Sequence, residues 1–429
     1  MLIAADDTDS STWMCTTFLA TELVRAFPDH DLIGLPRLVR LNPAVPWKTR
    51  GNGAICIRIG KGKGQPRLVG HMDGRDLYCY ARSSQEPDAD EVLERSRRVL
   101  EQWSQLDDSD PGLVVTAAPP RPQLYERAVR RIIDKQEAQE ALREAGARTF
   151  ELNSGRGLIG AASAAAWRPA DRTYEVLTYR ERERWGMPRE VAAADIGALD
   201  ARFPSTFNNY DLQACRPAIV PHTSCPILYG VRGDSPLELI GAMRSIASEP
   251  VDRWMMFITN QGTDDHVVHE WQELVPDSTY LVEGEVTAAP ATVPGGHVIF
   301  TMGTKAGPLE CAAYEPSKGF RNVVRSLRPG DLIRAIGELR ERPRTLNLEK
   351  FQLVRAALSF TKVSNPACPS CDKNMKSIGK GQGYRCRACG TRVLEPVREP
   401  ESRALAPGWY EPPVCARRHL AKPLKRMQA

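Results

Sequence analysis

The first five residues are apolar and run straight into Asp6-Asp7-Thr8-Asp9-Ser10-Ser11, the pattern of a buried strand ending in a polar turn. A helical spacing follows, from about Cys15-Thr16-Thr17 to Ala26. Leu38–Leu41 and Ala54–Ile59 read as strands flanking the loop Asn42-Pro43-Ala44-Val45-Pro46-Trp47-Lys48-Thr49-Arg50-Gly51-Asn52-Gly53. Residues 89–105 repeat apolar positions with a helical period, and Gly112–Ala117 is a short apolar run that suits a buried strand. Strands alternating with helices predict an α/β unit. A long charged helix is expected over about 122–146, then a strand at Thr149–Leu152 and the turn Gly155-Arg156-Gly157-Leu158-Ile159-Gly160. Strands at Thr173–Tyr179, Ala218–Val220, Pro226–Val231 and Arg253–Thr259, with a helix over Pro236–Ser248, make residues 148–260 one βαββαβ-like unit.

The pattern changes after residue 279. Five β-rich segments follow: Thr279–Ala288, His297–Met302, Pro308–Tyr314, Asp331–Leu339 and Thr345–Val354. A short helix, Phe320–Leu327, falls between the third and fourth. That is the connectivity of an OB-fold barrel, a scaffold that commonly holds nucleic acid. Next come two close cysteine pairs, Cys368-Pro-Ser-Cys371 and Cys386-Arg-Ala-Cys389, separated by fourteen residues. Four thiolates so spaced can close a tetrahedral Zn²⁺ shell, which predicts a zinc ribbon. The alternative is a pair of disulfides, which suits a secreted protein, and nothing else here looks secreted.

Composition sharpens this picture at few points. The 429 residues suffice for several domains, and no apolar stretch is long enough for a membrane span. The N-terminus has no basic leader region, so a cytoplasmic protein with no membrane association is expected. The remaining cysteines (Cys15, Cys56, Cys79, Cys215, Cys225, Cys311, Cys415) are scattered and read as packing residues. The net charge of +5 is unevenly placed: residues 361–429 hold 14 Lys+Arg against 5 Asp+Glu. Such a surplus suits attraction to phosphate backbones, although the Pro-rich stretch 395–429 also reads as partly disordered.

Three carboxylates within Asp6–Asp9 repel one another, and a hard cation such as Mg²⁺ would relieve that crowding. An acidic cap on the next helix is the plainer alternative. Thr16 and Thr17 open that helix, where a hydroxyl can meet phosphate, though Thr there is also an ordinary cap. Lys48, Arg50, Asn52 and Gly53 lie in a loop able to cradle phosphate oxygens, or to form an exposed hairpin tip. Gly155, Arg156 and Gly157 begin a GxGxxG turn before small residues, a second phosphate- or ribose-contacting turn or a purely structural one.

The ordered set of motifs closely resembles the archaeal family of isoleucine-tRNA 2-agmatinylcytidine synthetases. It comprises Asp6-Asp7-Thr8-Asp9-Ser10 with Met14-Cys15-Thr16-Thr17, the Arg37–Ala54 run, Gly155–Ala161, Tyr229–Gly233, Thr259–Asp264, Gly295–Val298 with Ala312–Pro316, Leu346–Lys350, and Gly379–Cys386 in the ribbon. The match runs from about residue 1 to 390; Trp13 stands where a glycine is often found, and the tail after Cys389 has no clear counterpart.

The resemblance implies an α/β kinase-like domain over 1–122, a ferredoxin-like domain over 123–272, an OB-fold over 273–360, and a zinc ribbon with basic tail over 361–429. It implies a ligase that uses ATP to activate carbon 2 of the wobble cytidine of tRNA(Ile) with a CAU anticodon. A phosphorylated cytidine intermediate then takes agmatine, with AMP and diphosphate released, and the tRNA decodes AUA. ATP, Mg²⁺ and Zn²⁺ are the implied cofactors; tRNA and agmatine are the partners, with no obligate protein partner. Asp6, Asp7 and Asp9 match the catalytic acidic motif, with Asp6 and Asp7 on Mg²⁺. Thr16, or Thr17 as the alternative, matches an autophosphorylated position. Lys48, Arg50, Asn52 and Gly53 would handle phosphates, Gly155, Arg156 and Gly157 would line the nucleotide or agmatine site, and Cys368, Cys371, Cys386 and Cys389 would bind Zn²⁺. Asp264 and Asp265 are candidates for meeting the dicationic amine. Two rivals remain: a non-catalytic nucleic-acid-binding protein and a small-molecule phosphotransferase.

Overall fold

The computed structural model describes residues 1–10, 13–48 and 51–427. In chain order the first part runs β1 (Leu2–Asp6), α1 (Thr16–Arg25), β2 (Asp31–Ile33), β3 (Arg37–Arg40), β4 (Gly53–Gly60), β5 (Arg67–Met72), β6 (Arg75–Tyr80), α2 (Ala89–Trp103), β7 (Gly112–Thr116), α3 (Gln123–Arg130), α4 (Lys135–Glu144), β8 (Arg148–Glu151) and α5 (Leu158–Ala166). It continues through β9 (Thr173–Arg180), β10 (Ile227–Gly233), α6 (Pro236–Arg244) and β11 (Val251–Thr259). These strands form one eleven-stranded sheet in the order β8-β7-β1-β4-β2-β6-β5-β11-β9-β10, with β3 bridging β4 and β11.

β1 is apolar throughout because both of its faces are covered. Ile3 and Ala5 join the core under α1 and α2, while Leu2 and Ala4 join the core under α3, α4 and α5. β11 pairs with both halves of the chain: antiparallel to β5 through Trp254 and His71, parallel to β3 through Thr259 and Leu38. The first 150 residues and the next hundred therefore share one sheet.

Three local readings of the sequence are corrected. The charged helix over 122–146 is two helices, α3 and α4, because Arg131 turns extended (φ −136°) while Ile133 packs into the core between them. No strand forms over 218–220; Ile219 instead accepts a single bond from the Gly230 N–H, at 3.1 Å. The hairpin β5–β6 is not among the expected elements, although its turn residues Asp73 and Gly74 (φ 54° and 72°) are a strong hairpin pair.

The second body is a closed barrel of five strands: β12 (Ser278–Thr292), β13 (Val298–Thr304), β14 (Gly307–Ala313), β15 (Leu332–Arg340) and β16 (Thr345–Arg355). They pair in the order β12-β13-β14-β16-β15, and β15 returns to β12. α7 (Phe320–Arg325) lies between β14 and β15 and buries Phe320 and Val324 in the barrel core.

A stem of β17 (Phe360–Ser364) and β18 (Val397–Pro400) leads out to the cysteine module and back. The chain then re-enters the body. β19 (Gly408–Tyr410) adds to barrel strand β16, and Leu420 is buried in the same core cluster as Leu2 and Ala4. This contradicts the expectation of a partly disordered, nucleic-acid-facing tail. Its cations pair inward: Arg403 with Asp331 (2.6 Å), Arg417 with Glu411 (2.7 Å), Arg418 with Glu349 (3.2 Å) and with Glu338, Lys422 with Asp171 (3.0 Å), Arg426 with Asp171 and Asp234 (both 2.8 Å). The exposed basic surplus is left on the ribbon and its stem, at Lys362, Lys373, Lys376, Lys380, Arg385, Arg387, Arg392 and Arg398.

Candidate active site

β1 ends at Asp6, and the next residue, Asp7, takes a left-handed backbone (φ 54°) that Asp tolerates better than most residues. Both carboxyls face the start of α5. The approach is close: a methyl group on Gly160 would overlap the Asp6 carboxylate, and one on Gly157 would overlap the Asp6 carbonyl and lie 2.5 Å from the Gly112 nitrogen. Glycine at these two positions lets the N-terminal turn of α5 sit on the end of β1. The positive end of that helix therefore points at the acidic cluster, with the N–H groups of Gly157, Leu158 and Ile159 already bonded to the carbonyls of Asp110, Gly155 and Arg156.

One cavity gathers most of the residues expected from sequence. Asp6, Asp7, Asp9, Lys48, Asn52, Gly53, Arg156 and Gly157 all line it, together with Trp47 and Gly160. Arg156 donates to Asp110 at 2.7 Å, lies 3.7 Å from Asp7 and stacks 5.3 Å from the Trp47 ring centre, while its Nε is buried without a partner. Lys48 Nζ donates to the carbonyls of Pro43 (2.6 Å) and Val45 (2.9 Å). Gly155 does not line the cavity; it makes the turn (φ 61°) that brings Arg156 in. Arg50 lies outside the described residues.

The electrostatics of this cavity are unbalanced. Burial, and then the Asp7 and Asp9 charges, push Asp6 well above the ordinary carboxylate range. Burial likewise lifts Asp7 from 3.8 to about 6, with Arg156 opposing the shift and Asp9 and Asp110 adding to it. A divalent cation would offset the cost of ionising carboxyls so placed, and the all-oxygen donor set fits Mg²⁺.

A second cavity lies behind the same wall. Asp9, Asn52 and Gly53 line both, and the second adds Thr16, Thr17, Arg40, Glu175, His222, Arg232 and His419. Thr16 and Thr17 are buried at the start of α1. The Thr16 hydroxyl lies 3.1 Å from that of Thr8, and Thr17 Oγ1 lies 3.1 Å from Cys15 Sγ. Sequence reasoning missed Glu175, which is buried on β9, accepts from Arg232 Nε at 2.9 Å and is hydrogen-bonded by Gln261. A lone Glu in a strand that reads as core gave no local indication. Asp264 and Asp265 do not serve this cavity: Asp264 pairs with Lys350 at 2.6 Å and Asp265 accepts from the Tyr125 hydroxyl at 2.6 Å.

In the ribbon, the four Sγ atoms of Cys368, Cys371, Cys386 and Cys389 lie within 4.8 Å of one another. The pairs Cys368–Cys389, Cys371–Cys386 and Cys371–Cys389 are 3.4, 3.5 and 3.7 Å apart. Zn–S bonds of about 2.3 Å in a tetrahedron place sulfurs about 3.8 Å apart, so the module fits Zn²⁺ rather than two disulfides.

Comparison with known proteins agrees with this geometry along the whole chain. Family models match the TiaS TCKD domain over residues 2–154, the TiaS FLD domain over 155–266 and the TiaS C-terminal zinc ribbon domain over 365–405. An isoleucine-tRNA 2-agmatinylcytidine synthetase, TiaS from Archaeoglobus fulgidus, is 40% identical over 438 residues, covering 99% of this chain and 97% of the relative. This chain belongs to the TiaS family. A TiaS from Methanocaldococcus jannaschii is 35% identical, with 99% of this chain and 98% of that relative covered. The crystal structure of a TiaS complex with isoleucine tRNA and ATP superposes with a TM-score of 0.85 at 37% identity, covering 100% of this chain and 97% of that one. A TiaS complex with isoleucine tRNA, AMPCPP and agmatine superposes with a TM-score of 0.84 at 36% identity and the same coverage. The boundary between the TCKD and FLD matches falls at 154/155, between β8 and α5, inside the region served by the one continuous sheet. Among the described residues, no helix is long and apolar enough to cross a membrane.

Proposed function

We propose that this protein uses ATP to join agmatine to carbon 2 of the wobble cytidine of tRNA(Ile) with a CAU anticodon, acting in the cytoplasm. The observation that carries the reading is the meeting of Asp6, Asp7, Asp9, Asn52, Gly53 and Arg156 at the mouth of α5, one wall away from Thr16 and Thr17. Relatives of 36–37% identity have been solved with isoleucine tRNA and ATP, and with isoleucine tRNA, AMPCPP and agmatine, and we carry those ligands over to this chain.

The first cavity is the triphosphate site in this reading. Asp6 and Asp7 would hold Mg²⁺, which would neutralise charge on the phosphates. Arg156 and the positive end of α5 bind phosphate oxygens from one side, and Lys48 and Asn52 from the other. Phosphoryl transfer asks mainly for such positioning and neutralisation. Thr16, with Thr17 as its alternative, is the phosphate acceptor on the chain. The oxygen on cytidine carbon 2 becomes a leaving group once phosphorylated, and the agmatine amine displaces it. The second cavity is the place for that amine, with Asp9 and Glu175 in its lining to meet the cationic ends and Arg40 and Arg232, the latter paired with Glu175 at 2.9 Å, to meet the phosphorylated base. The base must leave the anticodon stack to reach this wall, at a cost of a few kcal/mol.

The first two domains read as kinase-like and ferredoxin-like, and the barrel as an OB-fold. The barrel and the basic ribbon supply the grip on the tRNA by shape and backbone charge. A purely binding role leaves the crowded carboxylates of the first cavity without a task. Mass spectrometry of tRNA(Ile) incubated with the protein, ATP and agmatine tests the reading. The wobble nucleoside should gain agmatine with loss of water, and an unmodified nucleoside with folded, zinc-loaded protein and bound tRNA would refute it.

A further inference from the structure

A second concentration of positive charge lies away from the catalytic cavity. α5 begins at that cavity and ends at Trp167, which lines a different hollow of ≈ 390 Å³. With nine residues at about 1.5 Å each, the two are separated by about 14 Å along the helix. Arg37, Arg58, Arg67 and Arg172 all line this hollow, and no carboxylate does.

The four guanidiniums are not neutralised in proportion. Arg58 pairs with Glu86 at 2.6 Å. Arg37, which lines the hollow, donates one nitrogen, Nη1, to the carbonyls of Ala164, Ala165 and Trp167 at 3.2–3.3 Å and so caps the end of α5. Among the described residues, Arg37, Arg67 and Arg172 have no carboxylate within ion-pair distance. Trp167 is fully buried, and its Nε1 donor has no hydrogen-bond partner among the described residues. Like charges gathered in one concavity raise its free energy, and an anion that accepts several hydrogen bonds relieves them. Guanidinium forks match the oxygens of carboxylates and phosphates, and a phosphate offers the greater number of acceptor oxygens to several forks at once.

We propose that this arginine bowl is a phosphate-binding site separate from the catalytic cavity. Its phosphate comes from the backbone of the bound tRNA or from a free nucleotide or diphosphate. The site does not depend on the roles given to Asp6, Asp7 or the threonines, and it is read by binding alone.

The test uses the full-length protein carrying Arg67→Gln with Arg172→Gln. The control carries Arg98→Gln with Arg121→Gln, an equal loss of charge at exposed positions outside the bowl. Unfolding midpoints establish that both variants are folded. Filter binding of tRNA(Ile) across a salt series is one arm. A backbone contact predicts a five- to twentyfold weaker affinity than the control at about 100 mM salt, and a log–log salt slope smaller by about two. Calorimetric titration with inorganic diphosphate in the absence of RNA is the other arm. A free-phosphate site predicts that one of two binding events disappears while tRNA binding equals that of the control. If the bowl variant matches the control in both arms, the proposal is overturned.

Discussion

Asp7 combines a left-handed backbone with a carboxyl pushed up to about 6, so the fold holds it at a cost. A carboxyl whose folded pKa exceeds its ordinary value binds more protons in the folded state than in the unfolded one. Stability therefore falls as pH rises from about 4 to about 6, by about 1–3 kcal/mol, and the loss persists at neutral pH. Asp7→Asn removes that cost and keeps a residue suited to positive φ. It should raise the thermal unfolding midpoint at about pH 7.5 by a few degrees while nucleoside modification drops below detection. In the unaltered protein, modification rates should fall about tenfold per unit as pH drops below about 6, because the proposed Mg²⁺ site needs Asp7 ionised. Rate profiles and calorimetry on the same preparations check both statements. The acidic cluster was visible in the sequence because three carboxylates in four residues repel one another, even though an acidic helix cap would account for part of them. Glu175 was not, because its importance comes from Arg232 and Gln261, which lie far along the chain.

The decisive element is α5. Its glycines were legible as a GxGxxG turn, but their physical reason, the seating of a helix end against the last residue of β1, exists only in three dimensions. Gly160→Ala puts a methyl group into the Asp6 carboxylate, whose neighbours are strand and helix backbone. Modification should fall at least a hundredfold, and the protein should lose about 1–3 kcal/mol, measured by urea unfolding. Ser163→Ala in the same helix should leave the rate within about threefold, since that hydroxyl bonds only back to the Ile159 carbonyl. Strands and helices with clean periodicity were recovered from the sequence. The break between α3 and α4 was not, because continuous helical charge patterning hides a bend that only the core's demand for Ile133 explains.

At the scale of the molecule, charge was the misleading guide. The basic surplus of 361–429 suggested a nucleic-acid-facing ribbon and tail, whereas the tail cations have partners, Asp171, Asp234, Asp331, Glu338 and Glu349, that lie as far as 255 positions away. No local reading finds such pairs. The ribbon, by contrast, was legible from four spaced cysteines. Cys371→Ser should release the zinc, measured by metal analysis, and weaken tRNA binding about tenfold or more. The main unfolding transition should stay within about two degrees, because the module sits on its own stem. That stem has a further consequence. Since the chain returns from it to bury Leu420 in the core cluster that holds Leu2, the finger is topologically an excursion rather than an appendage. Limited proteolysis there should give two bands on a denaturing gel and a single peak on gel filtration. Truncation at the stem, in contrast, would strip a piece of the core and mimic a binding defect.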